Sequence, residues 1–439
     1  MNDDSHTDRL SVNRRSILTA TSIGIGAALA GCLGGDDEPE ADLETEEPEP
    51  EEEPEPEEEE EEDEEEEPPN PEETANALIE PATLKEWQDA GLVNLQELDD
   101  RKRVVVLRVW ETDTYEDGHV PGALKWDASE FHASRLEGLG EAAPMVPDGE
   151  LMDEVIQRSG VCPQTTIVLS GPSALRTARA YWTLRYWGFP RERVKVLNGG
   201  YHAYGEEYGL ETGGEPDAPS AEFSVEANDG LNNDERLGIA QVIQRVDLKG
   251  EGERDDVFLD NRPDPAATIA TSVIDDPANY HDGDSYATTY EEGGRWKGAD
   301  AVESHLFGLD GVSDGDTFVT FCGSGYRAAM GYFALDGILG YDDVSVYDGS
   351  FSRQWANYDG NNDDANTPPD EWRVDMHDRT DGDTGDSELE IAVDEIPALD
   401  SPEANQIEQA DLEYMGDAAD GDGGGDWGCG SLMAPTAGD

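Results

Sequence analysis

Thr317-Phe-Val-Thr-Phe-Cys322-Gly-Ser-Gly-Tyr-Arg327-Ala-Ala-Met330 is the stretch on which the reading of this chain turns. Phe318 to Phe321 is a short apolar run bounded by turn residues, the pattern of a buried strand. Cys322 follows at once, then a glycine-rich turn, and Arg327 opens a helix. A strand, a tight turn and a helix in that order present a thiol at a helix N-terminus. Backbone N–H groups and the helix dipole favour an anion there. A cysteine so placed is expected to be thiolate-rich and nucleophilic. Gly323 and Gly325 let the backbone curl round the sulfur without a Cβ clash. The competing reading of the same residue is a small buried hydrophobe at a strand end.

The pattern extends on both sides. Val257-Phe-Leu259, Phe318-Val-Thr-Phe321 and Val344-Ser-Val-Tyr347 read as strands, and Arg327 to Leu339 as a helix. The same order occurs earlier. Val104-Val-Val-Leu107, Ile167-Val-Leu169 and Val194-Lys-Val-Leu197 read as strands, and Glu150 to Ile156 has helical spacing. Alternating β and α argues for a mainly parallel sheet with helices on both faces. It occurs twice, over about 75–214 and 230–360, and each repeat is long enough for one core. At the position matching Cys322 the first repeat reads Ile167-Val-Leu-Ser170-Gly-Pro-Ser173, without a cysteine.

Several segments resemble the rhodanese family of sulfurtransferases. Cys322-Gly-Ser-Gly325 resembles the active-site loop of its mercaptopyruvate members, and the Arg327 ending that of its single-domain members. Gly340-Tyr-Asp-Asp-Val-Ser-Val-Tyr-Asp-Gly-Ser350 with Trp355, Leu259-Asp-Asn-Arg262-Pro263 and Glu292-Gly-Gly-Arg-Trp-Lys-Gly-Ala299 are similar to later and earlier family segments; Trp296 and Lys297 depart from the pattern. In the first repeat Gly118-His-Val-Pro-Gly-Ala123, Ala178-Arg-Ala-Tyr-Trp182 and Val194-Lys-Val-Leu-Asn-Gly-Gly-Tyr201 also match. The resemblance covers roughly residues 80–358. It implies two tandem rhodanese-like domains, a non-catalytic first and a catalytic second, flanked by disordered acidic segments.

The family's chemistry would make Cys322 the carrier of a persulfide, taking sulfur from thiosulfate or 3-mercaptopyruvate and passing it to a thiol or cyanide acceptor. No metal or cofactor is called for. The loop N–H groups of Gly323, Ser324, Gly325, Tyr326 and Arg327 are expected to stabilise the sulfur anion. Arg327 either adds positive charge or ties the loop to a nearby acid. The family's usual donor-binding arginine segments are not recognisable, and an acidic insertion, Asp264 to Tyr290, stands in their place. Arg295 and Arg262 are the candidates for the donor pocket, with Arg262 also suited to a structural carboxylate pair. Two rivals follow. A Cys-x5-Arg phosphatase loop would be one residue longer, and this shorter loop suits sulfur better than phosphate. A non-enzymatic cell-surface sulfur relay with a degenerate pocket is the other.

The chain has 104 acidic and 28 basic residues among 439, a net charge of −76. Twenty-four of the acids lie in 36–67, and without them the charge is still −52. Nucleic-acid binding is excluded at this charge. Repulsion of this size destabilises a compact state at low salt, and at molar salt the Debye length falls to about 3 Å. The surface therefore reads as that of a halophile, in preference to an acidic partner-binding face. Arg14-Arg15, an apolar run Ile17 to Leu29, and Leu29-Ala-Gly-Cys32 read as a twin-arginine export signal with a lipoprotein cleavage site, Cys32 being lipidated. An uncleaved short anchor is the alternative. This places the chain among exported lipoproteins of haloarchaeal type, anchored to the outer face of the cell membrane. Residues 33–74 read as a disordered tether of at most about 130 Å. Residues 361–439 read as a disordered acidic tail without the ligand spacing of a calcium loop. Four cysteines, Cys32, Cys162, Cys322 and Cys429, make no disulfide framework; Cys162 reads as structural and Cys429 as a bystander thiol.

Overall fold

The computed structural model describes residues 68–96, 102–110, 112–137, 140–228, 230–283, 294–356, 378–382 and 406–420. The export signal with Arg14, Arg15 and Cys32, the acidic tract 36–67, and Cys429 lie outside the described residues.

The first repeat contains β1 (Leu78–Ile79), α1 (Pro81–Asp89), β2 (Arg103–Trp110), β3 (Leu124–Asp127), the hairpin β4 (Ala133–Glu137) and β5 (Gly140–Met145), α2 (Gly149–Arg158), β6 (Thr165–Ser170), α3 (Ala174–Tyr186), β7 (Val194–Leu197) and α4 (Gly200–Tyr208). The second contains β8 (Arg236–Leu237), α5 (Ile239–Gly250), β9 (Val257–Asp260), β10 (Ala267–Ile269), β11 (Val273–Ile274), β12 (His281–Asp282), β13 (Arg295–Trp296), α6 (Ala299–Leu306), β14 (Phe318–Phe321), α7 (Tyr326–Tyr332), β15 (Val344–Tyr347) and α8 (Ser350–Arg353). A π-helix, Phe333–Leu339, continues α7. The tail supplies β16 (Thr380–Gly382) and α9 (Gln406–Asp420).

Each repeat is built on a five-stranded sheet, ordered β1-β7-β6-β2-β3 and β8-β15-β14-β9-β11. Every pairing within these two sheets is parallel. The two orders superimpose strand for strand, and β6 and β14 occupy the same central place. Parallel strands are buried on both faces, which explains the near-continuous apolar runs. Val104, Val106 and Val168 face one core with Leu84 and Trp87. Val105, Leu107, Ile167 and Leu169 face another, which also holds Leu259, Phe318, Tyr332 and Phe333 of the second repeat. The repeats therefore share a core along their facing surfaces. The outer face of the second sheet packs on Ile239, Val242, Ile243 and Trp355.

Buried ions cross the seam. Asp336 accepts from Tyr181 at 2.6 Å, and is paired with Arg185 at 3.1 Å and with Arg191. Arg185 also pairs with Glu235 at 2.7 Å. Arg236 pairs with Glu137 and, at 3.3 Å, with Asp348.

Two stretches of 361–439, expected to lack structure, are part of the fold. β16 pairs antiparallel with β10, inside the acidic insertion. Helix α9 buries Ile407, Asp411 and Met415, which recur every four residues on one face. Asp411 accepts both Nη groups of Arg135 and the hydroxyl of Tyr186. Cys162 is fully buried and its N–H donates to Thr165 Oγ1 at 3.0 Å, the surroundings of a structural residue.

Candidate active site

Cys322 stands at the C-terminal end of the central strand of the second sheet, the end at which open α/β sheets carry their sites. The strand needs Phe318, Val319 and Phe321 in the core, so the chain leaves the sheet at Cys322 and must turn at once. Gly325 takes φ 78°, and a Cβ there would lie 2.8 Å from the Asp348 carbonyl oxygen and 2.9 Å from Arg179 Nη1. Only glycine fits.

Ser350 pins the loop. Its hydroxyl donates to the Tyr347 carbonyl at 2.9 Å and accepts the N–H groups of Cys322 at 3.1 Å and Gly325 at 3.0 Å. From α8, the N–H of Phe351 reaches the Cys322 carbonyl at 2.8 Å, and those of Ser352 and Arg353 reach the Gly323 carbonyl. The Ser324 N–H points at Cys322 Sγ, 3.4 Å away. The Gly325 N–H, expected to face the sulfur, is taken by Ser350. Cys322 is a free thiol and almost fully buried.

The sulfur lies at a cavity of about 530 Å³ built from both repeats. The second contributes Cys322, Ser324, Tyr326, Arg327 and Arg353; the first contributes Trp110, His132, Ala143, Pro144, Leu175 and Arg176. The Arg176 guanidinium lies 3.6 Å above the Trp110 ring and 4.8 Å from that of Tyr326. Trp110 ends β2 with φ 83°, an unusual conformation for a bulky residue, and it sits at the site. Behind the loop, Arg179 and Asp348 form a fully buried pair at 2.8 Å. Burial pushes the Asp348 carboxyl up, but Arg179, Arg236 and the Val146 N–H together hold it below its ordinary range.

Arg327 lines the cavity, with Ser324 and Tyr326. Gly323 and Gly325 shape the loop. The two donor-pocket candidates are elsewhere. Arg262 binds Asp260 and the Ala267 carbonyl, and lies 4.1 Å from the Phe351 ring. Arg295 bridges Glu80 and Glu207, each at 2.9 Å. Neither lines the cavity: Arg262, two residues past β9, is held by Asp260, and Arg295 on β13 reaches across to Glu80 and Glu207 of the first repeat. The arginines that line the cavity beside Arg327 are Arg176 and Arg353, which sequence reasoning missed. One signal was available. Arg176 follows Ser170 by six residues, much as Arg327 follows Cys322 by five, so each repeat puts an arginine at the start of its central helix. Ser170 itself is fully buried, and a Cβ on Gly171 would meet Val109 and Thr177 within 2.8 Å.

Residues 91–207 match the family model of the rhodanese-like domain. The first repeat is thus similar in sequence to a rhodanese-like domain. The Tum1 protein of Saccharomyces cerevisiae, 16% identical, superposes with a TM-score of 0.50 over 67% of this chain and 99% of its own, so the tandem fold is shared. A provisionally named thiosulfate sulfurtransferase of Haloferax volcanii is 25% identical over 282 residues, covering 63% of this chain and 93% of that protein. The sulfur carrier protein TtuD of Thermus thermophilus is 27% identical, over 60% of this chain and 92% of its own. A thiosulfate sulfurtransferase of Corynebacterium glutamicum is 27% identical over 55% of this chain and 78% of its own length.

Proposed function

We propose that this protein is a sulfurtransferase working through a persulfide on Cys322. The observation that carries the reading is a buried free thiol, met by a backbone N–H, at a cavity bordered by Arg176, Arg327 and Arg353. The names of its relatives support the same reaction class. The Cys322 thiolate attacks the outer sulfur of an anionic donor. The new bond is Sγ–S. The bond that breaks is S–S in thiosulfate or C–S in 3-mercaptopyruvate, and the electron pair leaves with sulfite or the pyruvate enolate. Guanidinium groups hold the donor's anionic end and its departing charge. The test is cyanolysis with each donor in molar salt. Parent protein should gain the mass of one sulfur atom and form thiocyanate; Cys322→Ser should do neither. Full turnover by Cys322→Ser would sink the reading.

A second reading is a sulfur relay that receives persulfide sulfur from another protein. TtuD, named a sulfur carrier, favours it, as does the displacement of both expected donor arginines. Loading from a protein persulfide but from neither small donor would establish it.

The site of action we propose is the outer face of the cell membrane, from Arg14-Arg15 and Leu29-Ala-Gly-Cys32. Cys32→Ser should release the protein from the membrane fraction or leave it uncleaved. Normal processing and equal membrane association in that variant would contradict a lipid anchor.

A further inference from the structure

The first repeat carries Ser170 where the second has its cysteine, but places a histidine in the second repeat's cavity. His132 lines the space that Cys322 borders. Its Nδ1 is 3.2 Å from the Tyr326 hydroxyl, four residues after Cys322. The preceding residue, Phe131, is fully buried, stacked on Trp126 at 4.5 Å and set edge-on to Trp110 at 5.7 Å. The backbone that carries the imidazole is therefore anchored.

We propose that His132 is the general base for the acceptor, and that the natural acceptor is a thiol that enters protonated. This rests on the sulfurtransferase reading. Donor attack by an ionised cysteine needs no base, and neither does attack by an anion such as cyanide. An alkyl thiol has an ordinary pKa near 8.5 and is mostly protonated at neutral pH, so its attack needs a proton acceptor. In the tautomer whose Nδ1–H donates to the Tyr326 oxygen, which this role requires, Nε2 is the basic atom. It takes the proton of R–SH. The sulfur of R–S⁻ then attacks the outer sulfur of the persulfide. The R–S–S bond forms, the Sγ–S bond breaks, and its electron pair stays on Cys322 Sγ beside the Ser324 N–H. The proton returns to the product persulfide or to solvent. No oxidant or reductant enters.

Electrostatics keep the base ready. Burial, then the charges of Arg179 and Arg176 on α3, lower the His132 pKa; Asp348 opposes them more weakly. Burial raises that of the neighbouring Tyr326, which stays protonated. Arg327 and Arg353 are the other charged groups on the cavity. A depressed imidazole is neutral at pH 7, the form a base requires.

The experiment uses the full chain, pre-loaded as the Cys322 persulfide, in a single turnover with either a thiol or cyanide. In His132→Gln, transfer to an alkyl thiol should fall about 100-fold further than transfer to cyanide. The deficit should shrink for aryl thiols that are already ionised. In the parent, transfer to the alkyl thiol should rise with pH through a limb below the ordinary histidine value. In the variant it should instead follow ionisation of the thiol itself. Equal losses for both acceptors, or a deficit indifferent to the thiol's acidity, would overturn this role and leave the sulfurtransferase reading standing. A parent that forms no persulfide on Cys322 would overturn both.

Discussion

At the scale of single residues, the two repeats divide the site between them. The thiol and its loop come from one stretch of chain, so Cys322, Ser324, Tyr326 and Arg327 were readable as a motif. Arg176, His132 and Trp110 come from three separate stretches of the other repeat: helix α3, the residue before β4 and the end of β2. Apart from the spacing of Arg176 from Ser170, nothing local marks them, because they reach the cavity that Cys322 borders only once the two sheets share a core. The expected pair, Arg262 and Arg295, are drawn off by Asp260, Glu80 and Glu207. This separates two variants. Arg176→Gln should lower donor kcat/KM by about 10- to 100-fold, since a hydrogen bond to a charged group contributes about 1.5–3 kcal/mol. Arg295→Gln should leave donor KM where it is. Steady-state kinetics with thiosulfate and 3-mercaptopyruvate decide this, and an inert Arg176→Gln would remove Arg176 from the donor site.

At the scale of elements, the central strands declared themselves through runs such as Val104 to Leu107 and Phe318 to Phe321. Burial on both faces of a parallel sheet leaves no polar alternation to obscure them. Helix α9 did not. Its inward face carries a carboxylate between two apolar residues, Ile407 and Met415, within a markedly acidic tail. What makes that face bury is the Arg135 guanidinium on β4, which no pattern in the tail itself could announce. Tyr414 adds to the contact, bonding Asp153 at 2.7 Å and lying over Gly149. Asp411→Ala leaves Arg135 buried without its carboxylate. It should cost about 3–5 kcal/mol, the usual cost of breaking a buried pair. Glu413→Gln, on the exposed side of the same helix, should stay within about 0.5 kcal/mol. Denaturant melts of the two variants make the comparison. Equal midpoints would mean that α9 does not clamp the fold.

At the scale of the whole molecule, charge outside the tract 36–67 leads to a prediction about the conditions under which the fold persists. With −52 on the remaining chain, the halophilic reading predicts a thermal midpoint that rises from tenth-molar to molar KCl, and activity that rises with it. Deleting 36–67 should change that slope little. A midpoint that stays flat in salt, or whose response vanishes with the tract, would contradict the reading. Twofold repetition and the fold class were legible because they need only strand and helix order; how the halves join was not, because the joint is a shared core and a set of buried ion pairs between residues distant in sequence. Those pairs have a consequence of their own. Arg179 with Asp348 and Arg236 with Glu137 are sealed from solvent, and Asp336, which gathers Arg185 and Arg191, is nearly so. Dissolved ions reach charges at the surface and hardly touch these. A molecule poor in cations has put several of them where brine cannot compete for their partners. Ionic strength should therefore govern how easily the protein comes apart, and leave unchanged the way its halves are bolted together.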